Sequence, residues 1–118
     1  RAIELINEDV IELYLKDQKR LVKVNANDII YVETKSHKVL VITINGVYTS
    51  SDLLDIWEKR LTHMSFFRIH KSYLINMNYI VEYKRHEIRT NTGEILPVSY
   101  RHQSDFRKYF HNYLKRRV

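Results

Sequence analysis

The chain has 118 residues, of which 44% are hydrophobic and 12% are aromatic. This length suits one domain with one hydrophobic core, and the composition argues against a disordered chain. The longest apolar runs are far too short to cross a bilayer, and the N-terminus lacks the basic and then apolar order of a signal peptide. Because the chain contains no cysteine, disulfides and thiolate metal sites are excluded, and we expect a cytoplasmic location.

The formal net charge is +6, and the charge is unevenly distributed. Residues 1–60 carry nine Lys and Arg against ten Asp and Glu, whereas residues 61–118 carry eleven against four. A positive surface attracts nucleic-acid phosphates through counterion release, and it attracts anionic membranes as well. The charge therefore indicates a polyanionic partner and leaves the class of that partner open.

Short strand-forming segments separated by turns occupy the first half of the chain. Runs rich in β-branched and aromatic residues predict strands over residues 10–16, 21–24, 29–34, 39–44 and 47–49. Residues 17–19 are predicted to form a turn, and Asn45-Gly46 is a strong hairpin signal. The turn predicted at residues 35–38 places His37 at a loop tip.

One internal helix is predicted over Leu53 to Leu61. Its apolar side chains recur at helical spacing, and Trp57 is the largest of them. Ser51 and Asp52 precede it and are predicted to cap its N-terminus. We expect this helix to cover one face of a sheet.

The second half of the chain continues the strand pattern and ends in a helix. Strands are predicted over residues 67–70, 79–83, 87–90 and 94–98, with a turn at residues 91–93. A C-terminal helix is predicted over residues 103–116, where an aromatic stripe faces a core or a partner and the other face is basic. The sequence thus predicts a single, mainly β domain of small antiparallel sheets with two helices.

The six histidines and the serines give no support for metal binding or catalysis. The histidines have no ligand spacing such as H-x-x-x-H, and no cysteine accompanies them. Ser36-His37 and His70-x-Ser72 place a hydroxyl near an imidazole in sequence, but neither has the glycine-rich elbow of a nucleophile. We expect no enzyme activity, no metal and no cofactor.

The most informative stretch is residues 66–76, because polar hydrogen-bonding side chains stand there between two apolar flanks. These side chains are Arg68, His70, Lys71 and Ser72. Arg, Lys and Ser are typical ligands of phosphate oxygens and base edges. Two further segments accompany this stretch, Lys35 to Val39 upstream and Leu96 to Arg101 downstream.

Together, the three segments resemble, in order and spacing, the LytTR family of bacterial DNA-binding domains, and the resemblance covers about residues 10 to 105. It implies an elongated arrangement of small stacked antiparallel sheets that presents loops to successive major grooves. By the same resemblance His37, Lys71 and Arg101 would contact bases. The residues that would contact the DNA backbone are Lys35, Ser36, Lys38, Arg68, Ser72, Ser99, Tyr100 and His102.

The resemblance also implies the partners of the domain. We expect the domain to bind double-stranded DNA with repeated half-sites and not to bind a membrane. The isolated domain is expected to be monomeric and to dimerise on DNA or through an N-terminal receiver domain. The chain begins at Arg1 in place of Met, which predicts a fragment of a longer response regulator. Residues 1–9 would then be the remnant of the linker from the missing receiver domain.

Two alternatives remain open on the sequence alone. The basic C-terminal helix is also typical of a module that binds a membrane surface or another protein. An RNA-binding β domain would need exposed stacking aromatics on a sheet face. Binding to anionic liposomes, or a preference for single-stranded RNA over duplex DNA, would favour these alternatives.

Overall fold

The computed structural model describes residues 10–15 and 19–117. The predicted linker at residues 1–9, Lys16 of the first predicted strand and the first two residues of the predicted turn at 17–19 lie outside the described residues. The described part contains ten strands and two α-helices. They are β1 (Val10–Leu15), β2 (Arg20–Asn25), β3 (Ile29–Lys35), β4 (Lys38–Thr43), β5 (Gly46–Ser50), α1 (Leu54–Arg60), β6 (Phe66–His70), β7 (Tyr73–Asn76), β8 (Ile80–Lys84), β9 (Glu87–Thr90), β10 (Ile95–Pro97) and α2 (Tyr100–Arg117).

The strands form three small antiparallel sheets. A five-stranded sheet has the order β5-β4-β3-β7-β6, and two smaller sheets have the orders β1-β2 and β10-β9-β8. Hydrophobic side chains on both faces of the five-stranded sheet are buried, because each face packs against other elements. The prediction of a mainly β domain of small stacked sheets with one internal helix and a C-terminal helix is confirmed.

The first core joins β1, β2 and α1 to one face of the five-stranded sheet. Trp57 is fully buried there, and its indole Nε1 donates a hydrogen bond of 2.9 Å to Ser50 Oγ. The guanidinium of Arg60 lies 4.7 Å from the centre of the Trp57 ring. The prediction that the helix around Trp57 covers a sheet face is therefore confirmed.

The second core joins the other face to β8, β9, β10 and α2. Phe106 of α2 is fully buried and meets the edges of Phe67 and Tyr83, with ring centres 5.7 Å and 4.9 Å away. Tyr109 and Tyr113 pack at the margin of this core, while Leu114 is 45% exposed. The aromatic stripe of the C-terminal helix lies mainly against the core.

Three local predictions need correction. Tyr73–Asn76 forms the buried strand β7, which was not predicted, because a four-residue apolar run gives little periodicity. The predicted cap of α1 is wrong, since Leu53 is the N-cap residue and no side chain bonds there; Ser50 Oγ instead accepts from the backbone N–H of Asp52. Helix α2 begins at Tyr100, three residues before the predicted start.

Candidate nucleic-acid interface

The three segments singled out in the sequence lie side by side along one edge of the molecule. Backbone hydrogen bonds join them: Thr34 N–H donates to Ser72 O at 3.0 Å, and Ser99 N–H donates to Ile69 O at 2.9 Å. The turn between β6 and β7 therefore lies between the tip of the β3–β4 hairpin and the start of α2. We call residues 35–38, 68, 70–72 and 99–102 together the loop edge.

The β3–β4 hairpin closes with a tight turn at the loop edge. Lys35 pairs with Lys38, and Ser36 and His37 between them have φ values of 53° and 66°. Two successive left-handed residues are typical of a type I′ hairpin turn, where Asn and Gly are usual and other residues are disfavoured. His37 is exposed at the tip, where the sequence predicts it.

The β6–β7 turn is fixed by the guanidinium of Arg68. Arg68 Nε donates to His70 O at 2.8 Å, and Nη2 donates to Lys71 O at 2.5 Å. Its Nη1 donates to Asp55 Oδ1 at 3.0 Å and to Glu58 Oε1 at 2.9 Å. Four of the five guanidinium N–H groups are thus engaged, and they tie the turn to α1.

The side chain of Lys71 extends from this anchored turn and is exposed. Asp55 and Glu58 are the carboxylates that line the cleft between Lys71 and Arg101, and Arg68 pairs with both. Neither Lys71 nor Arg101 takes part in a salt bridge within the described part of the chain. The loop edge therefore presents cations whose charge no bonded carboxylate offsets.

His70 stabilises the turn in its neutral form. Its Nδ1 accepts a hydrogen bond of 3.0 Å from the backbone N–H of Ser72. Burial lowers the pKa of His70 below its ordinary value, and the positive charges of Lys71 and Arg68 lower it further. The ring is thus held as a neutral acceptor at pH 7.

The first turn of α2 completes the loop edge. Ser99 Oγ lies 2.5 Å from His102 Nδ1, and the backbone N–H of His102 donates to Ser99 O at 2.9 Å. Burial lowers the pKa of His102, with a further lowering by the charge of Arg101. The first turn contains no acidic residue, so its free N–H groups and the helix dipole favour an anion. Tyr100 and Arg101 are both exposed there.

The structure brings all eleven predicted contact residues to this edge, and only Arg68 is largely committed to protein partners. Asp55 and Glu58, which hold Arg68, were not identified from the sequence. They lie 13 and 10 residues before Arg68 in the sequence. They belong to helix α1, for which the sequence predicted only the role of covering a sheet face. No sequence periodicity links two exposed helical carboxylates to a strand arginine so far along the chain.

Features of the described residues also bear on the two alternatives. The apolar face of α2 packs on the second core, so this helix does not present an apolar face to a membrane. Neither α1 nor α2 has the length and apolarity needed to span a bilayer. Tyr100 is the exposed aromatic among the side chains described, and it stands on a helix and not on a sheet face. Among residues 10–15 and 19–117 no group of three or more His, Asp or Glu side chains is placed to bind a metal ion.

Comparison with known proteins identifies similar domains. The family model of the LytTr DNA-binding domain matches residues 19–111. The sensory transduction protein LytT of Bacillus anthracis is 32% identical in an alignment of 108 positions that covers 87% of this chain and 44% of that protein. LytT of Bacillus subtilis is 30% identical in an alignment of 122 positions, gaps included, that covers 90% of this chain and 51% of that protein. This chain thus spans about half the length of these relatives.

A solved structure gives the same result for the fold. It is the LytTr DNA-binding domain of a putative methyl-accepting/DNA response regulator from Bacillus cereus. It superposes with a TM-score of 0.73 at 28% sequence identity, over 86% of this chain and 95% of that chain. The fold described above is therefore that of a solved LytTr domain.

Proposed function

This chain belongs to the LytTr DNA-binding domain family, and from that premise we propose that its loop edge binds duplex DNA sequence-specifically. The observation that carries the proposal is the alignment of three cation-bearing loops along one edge, joined by backbone hydrogen bonds. Loops held at fixed separations can enter neighbouring grooves of a duplex together. The domain serves a bacterial transcriptional regulator and performs no catalysis.

Three residues of the loop edge are assigned to base contacts. The guanidinium fork of Arg101 suits the O6 and N7 acceptors of guanine. Lys71 can donate to the same acceptors as a single point charge, and it discriminates less sharply. The imidazole of His37, at the tip of its hairpin, can donate to or accept from a base edge. These three side chains stand on three different loops and contact different base pairs in successive major grooves.

The remaining polar residues of the loop edge are assigned to the DNA backbone. Hydroxyls, lysines and the N-terminus of a helix are the usual phosphate ligands in protein–DNA complexes. Arg68 retains one N–H for a phosphate oxygen, and its larger role is to hold the turn that carries Lys71. The assigned set is Lys35, Ser36, Lys38, Arg68, Ser72, Ser99, Tyr100 and His102.

We propose an assembly on DNA that the similarity to response regulators supports. The domain acts in the cytoplasm as the output part of a two-component response regulator. One copy covers one half-site, and two copies occupy repeated half-sites. Dimerisation occurs on DNA or through a receiver domain joined to the N-terminal end of this chain.

Salt dependence of binding tests this proposal. If the loop edge neutralises five or six phosphates, log affinity falls with log salt at a slope of about −5. The experiment first selects bound sequences from random duplex DNA at a stated salt concentration. Fluorescence anisotropy then measures affinity for a selected duplex at several salt concentrations. A flat salt response, or no binding to any selected duplex at low salt, would contradict the proposal.

The same assay separates duplex binding from the two alternatives. Vesicles containing anionic lipid and single-stranded RNA of matched length serve as competitors for the bound duplex. Duplex DNA of unrelated sequence sets the level of nonspecific competition. We expect neither competitor to displace the selected duplex better than unrelated duplex does. Stronger displacement by vesicles or by RNA would favour the corresponding alternative.

A further inference from the structure

A second hairpin turn has the same backbone conformation as the turn that carries His37. Between β8 and β9, Lys84 pairs with Glu87, and Arg85 and His86 have φ values of 54° and 66°. The φ values at Ser36 and His37 are 53° and 66°. Both turns therefore hold two side-chain-bearing residues in the left-handed region, with histidine in the second position.

This second turn lies next to the loop edge. The backbone N–H of Val98 donates to His86 O at 2.8 Å. Val98 lies three residues before Arg101. The next residue, Ser99, bonds to Ile69 near the β6–β7 turn. The four loops thus form one row, in which the β8–β9 turn stands at the Arg101 end and the β3–β4 turn at the other.

The side chains of the second turn suit an anionic partner. Lys84, Arg85 and His86 are exposed, and none of them forms a salt bridge in the described part of the chain. Arg89, in the following strand, instead pairs with Glu82 at 3.3 Å. The cations of the turn are therefore available, whereas the neighbouring strand cation is engaged.

The backbone conformation gives an independent reason to assign a role to this turn. Asn and Gly adopt two consecutive left-handed positions with less strain, and Arg and His each carry a penalty of roughly 1 kcal/mol there. Such strain is found where a side chain is needed for function. The β8–β9 turn has the backbone signature of the His37 turn, and it carries two cations, Lys84 and Arg85, beside one carboxylate, Glu87.

We propose that the Arg85–His86 turn is a fourth DNA-binding loop, which binds backbone phosphates beyond the groove entered by Arg101. This inference rests on the proposed function. In the described part of the chain no side chain bonds the backbone of this turn, whereas Arg68 bonds the backbone of the turn that carries Lys71. An unanchored cation suits a phosphate, which accepts donors from many directions, better than it suits a base edge.

The test compares Arg85→Gln with Arg116→Gln, an equal loss of charge at an exposed position near the far end of α2. At 0.1 M salt one phosphate contact corresponds to about an eightfold change in affinity, from a slope of about 0.9 per phosphate. We expect Arg85→Gln to weaken binding by roughly 5- to 10-fold on every operator and to lower the salt slope by about one. We expect Arg116→Gln to change affinity by no more than about twofold and to leave the salt slope unchanged.

A third variant, Arg85→Lys, distinguishes phosphate binding from base reading. Lysine also binds phosphate, as a point charge, but it lacks the fork that reads guanine. Arg85→Lys should therefore restore affinity to within about twofold of the unsubstituted domain. Equal behaviour of Arg85→Gln and Arg116→Gln would overturn the inference, and so would failure of Arg85→Lys to restore binding. In either case steep, salt-dependent binding by the unsubstituted domain would leave the proposed function standing.

Discussion

The hairpin turns at the two ends of the strands are built from different residues. At the end opposite the loop edge, the turns after β4 and β9 place Gly46 and Gly93 at φ values of 143° and 98°. At the other end, which holds the loop edge and the neighbouring β8–β9 turn, the left-handed positions instead hold Ser36 with His37, and Arg85 with His86. Glycine adopts these conformations without steric penalty, whereas the other residues do not. A turn that only reverses the chain can use glycine, so the side chains kept at the loop edge indicate a function beyond reversal.

The largest effect, a loss of stability, is expected from a core residue that lies at neither end of the strands. Trp57 is fully buried in the first core, so Trp57→Ala should lower the free energy of unfolding by about 3 to 5 kcal/mol. Ile56→Ala on the same helix removes a side chain that is 41% exposed and serves as the control. Thermal and denaturant melts measure both. An unchanged melting temperature combined with lost DNA binding would place Trp57 in the site.

The next effect tests the loop-edge turn directly. Replacing Ser36 with Asn and His37 with Gly gives the usual residues of a type I′ turn. We expect the double variant to gain roughly 1 kcal/mol of stability, because strain at two left-handed residues is relieved. It should also lose about 1 to 3 kcal/mol of affinity for the selected duplex. Melting and anisotropy are measured on the same preparation, and a gain in stability with full affinity would show that His37 is not needed for binding.

The converse substitution tests the opposite end. Gly46 has a φ of 143°, and a Cβ added there meets no atom within 4 Å, so the penalty of Gly46→Ala comes from backbone strain alone. We expect a loss of about 1 kcal/mol of stability and no change in DNA affinity. A melt and an anisotropy titration check both. Weaker DNA binding by the folded variant would mean that this end also contacts DNA.

The smallest effect is a dependence of stability on pH. The pKa values of His70 and His102 in the folded protein lie below their ordinary value of 6.5. A histidine whose pKa is lowered in the folded state stabilises the fold at pH values above 6.5. This contribution is lost as the pH falls through the lowered pKa. Stability should therefore decrease modestly from pH 7 to pH 5.5.

A variant locates the origin of this pH dependence. His70→Gln removes one of the two groups and should reduce the slope of stability against pH, and His63→Gln, at an exposed position, serves as the matched control. Denaturant melts at each pH provide the measurement. Equal slopes for the two variants would exclude His70 as a source of the dependence.

The sequence predicts much of this fold, because its signals are local. The β-branched runs of β3 and β4 and the apolar spacing around Trp57 each lie within one element, where periodicity is informative. Strand β7 and the short 3₁₀ turns at Ala26–Asp28 and Met77–Tyr79 are too short for such a signal. Asn76 at the end of β7 accepts a hydrogen bond from Asn78 N–H at the start of the second 3₁₀ turn, a contact that its residue type favours.

The residues proposed for the site are visible in the sequence as a motif, whereas the contacts that support them are not. The motif around Arg68 to Ser72 is contiguous, so residue types and spacing are visible in the sequence. The contacts of Arg68 with Asp55 and Glu58 depend on how α1 packs against β6, which is a tertiary relationship. The basic triplet Lys84 to His86 between two predicted strands was a visible signal, although its place in the row of loops depends on the bond between Val98 and His86.

Binding to a panel of operators with single base-pair substitutions tests the central claim most directly. Alanine variants of Arg101, Lys71 and His37 are compared with Lys35→Ala, and circular dichroism confirms that each variant is folded. We expect Arg101→Ala to lose about 1 to 3 kcal/mol and to lose preference at one position, with His37→Ala and Lys71→Ala doing so at other positions. Lys35→Ala should weaken binding to all operators alike and lower the salt slope by about one. If the Arg101, Lys71 and His37 variants lose affinity evenly across the panel, these residues do not read bases, and specificity would have to come from DNA shape.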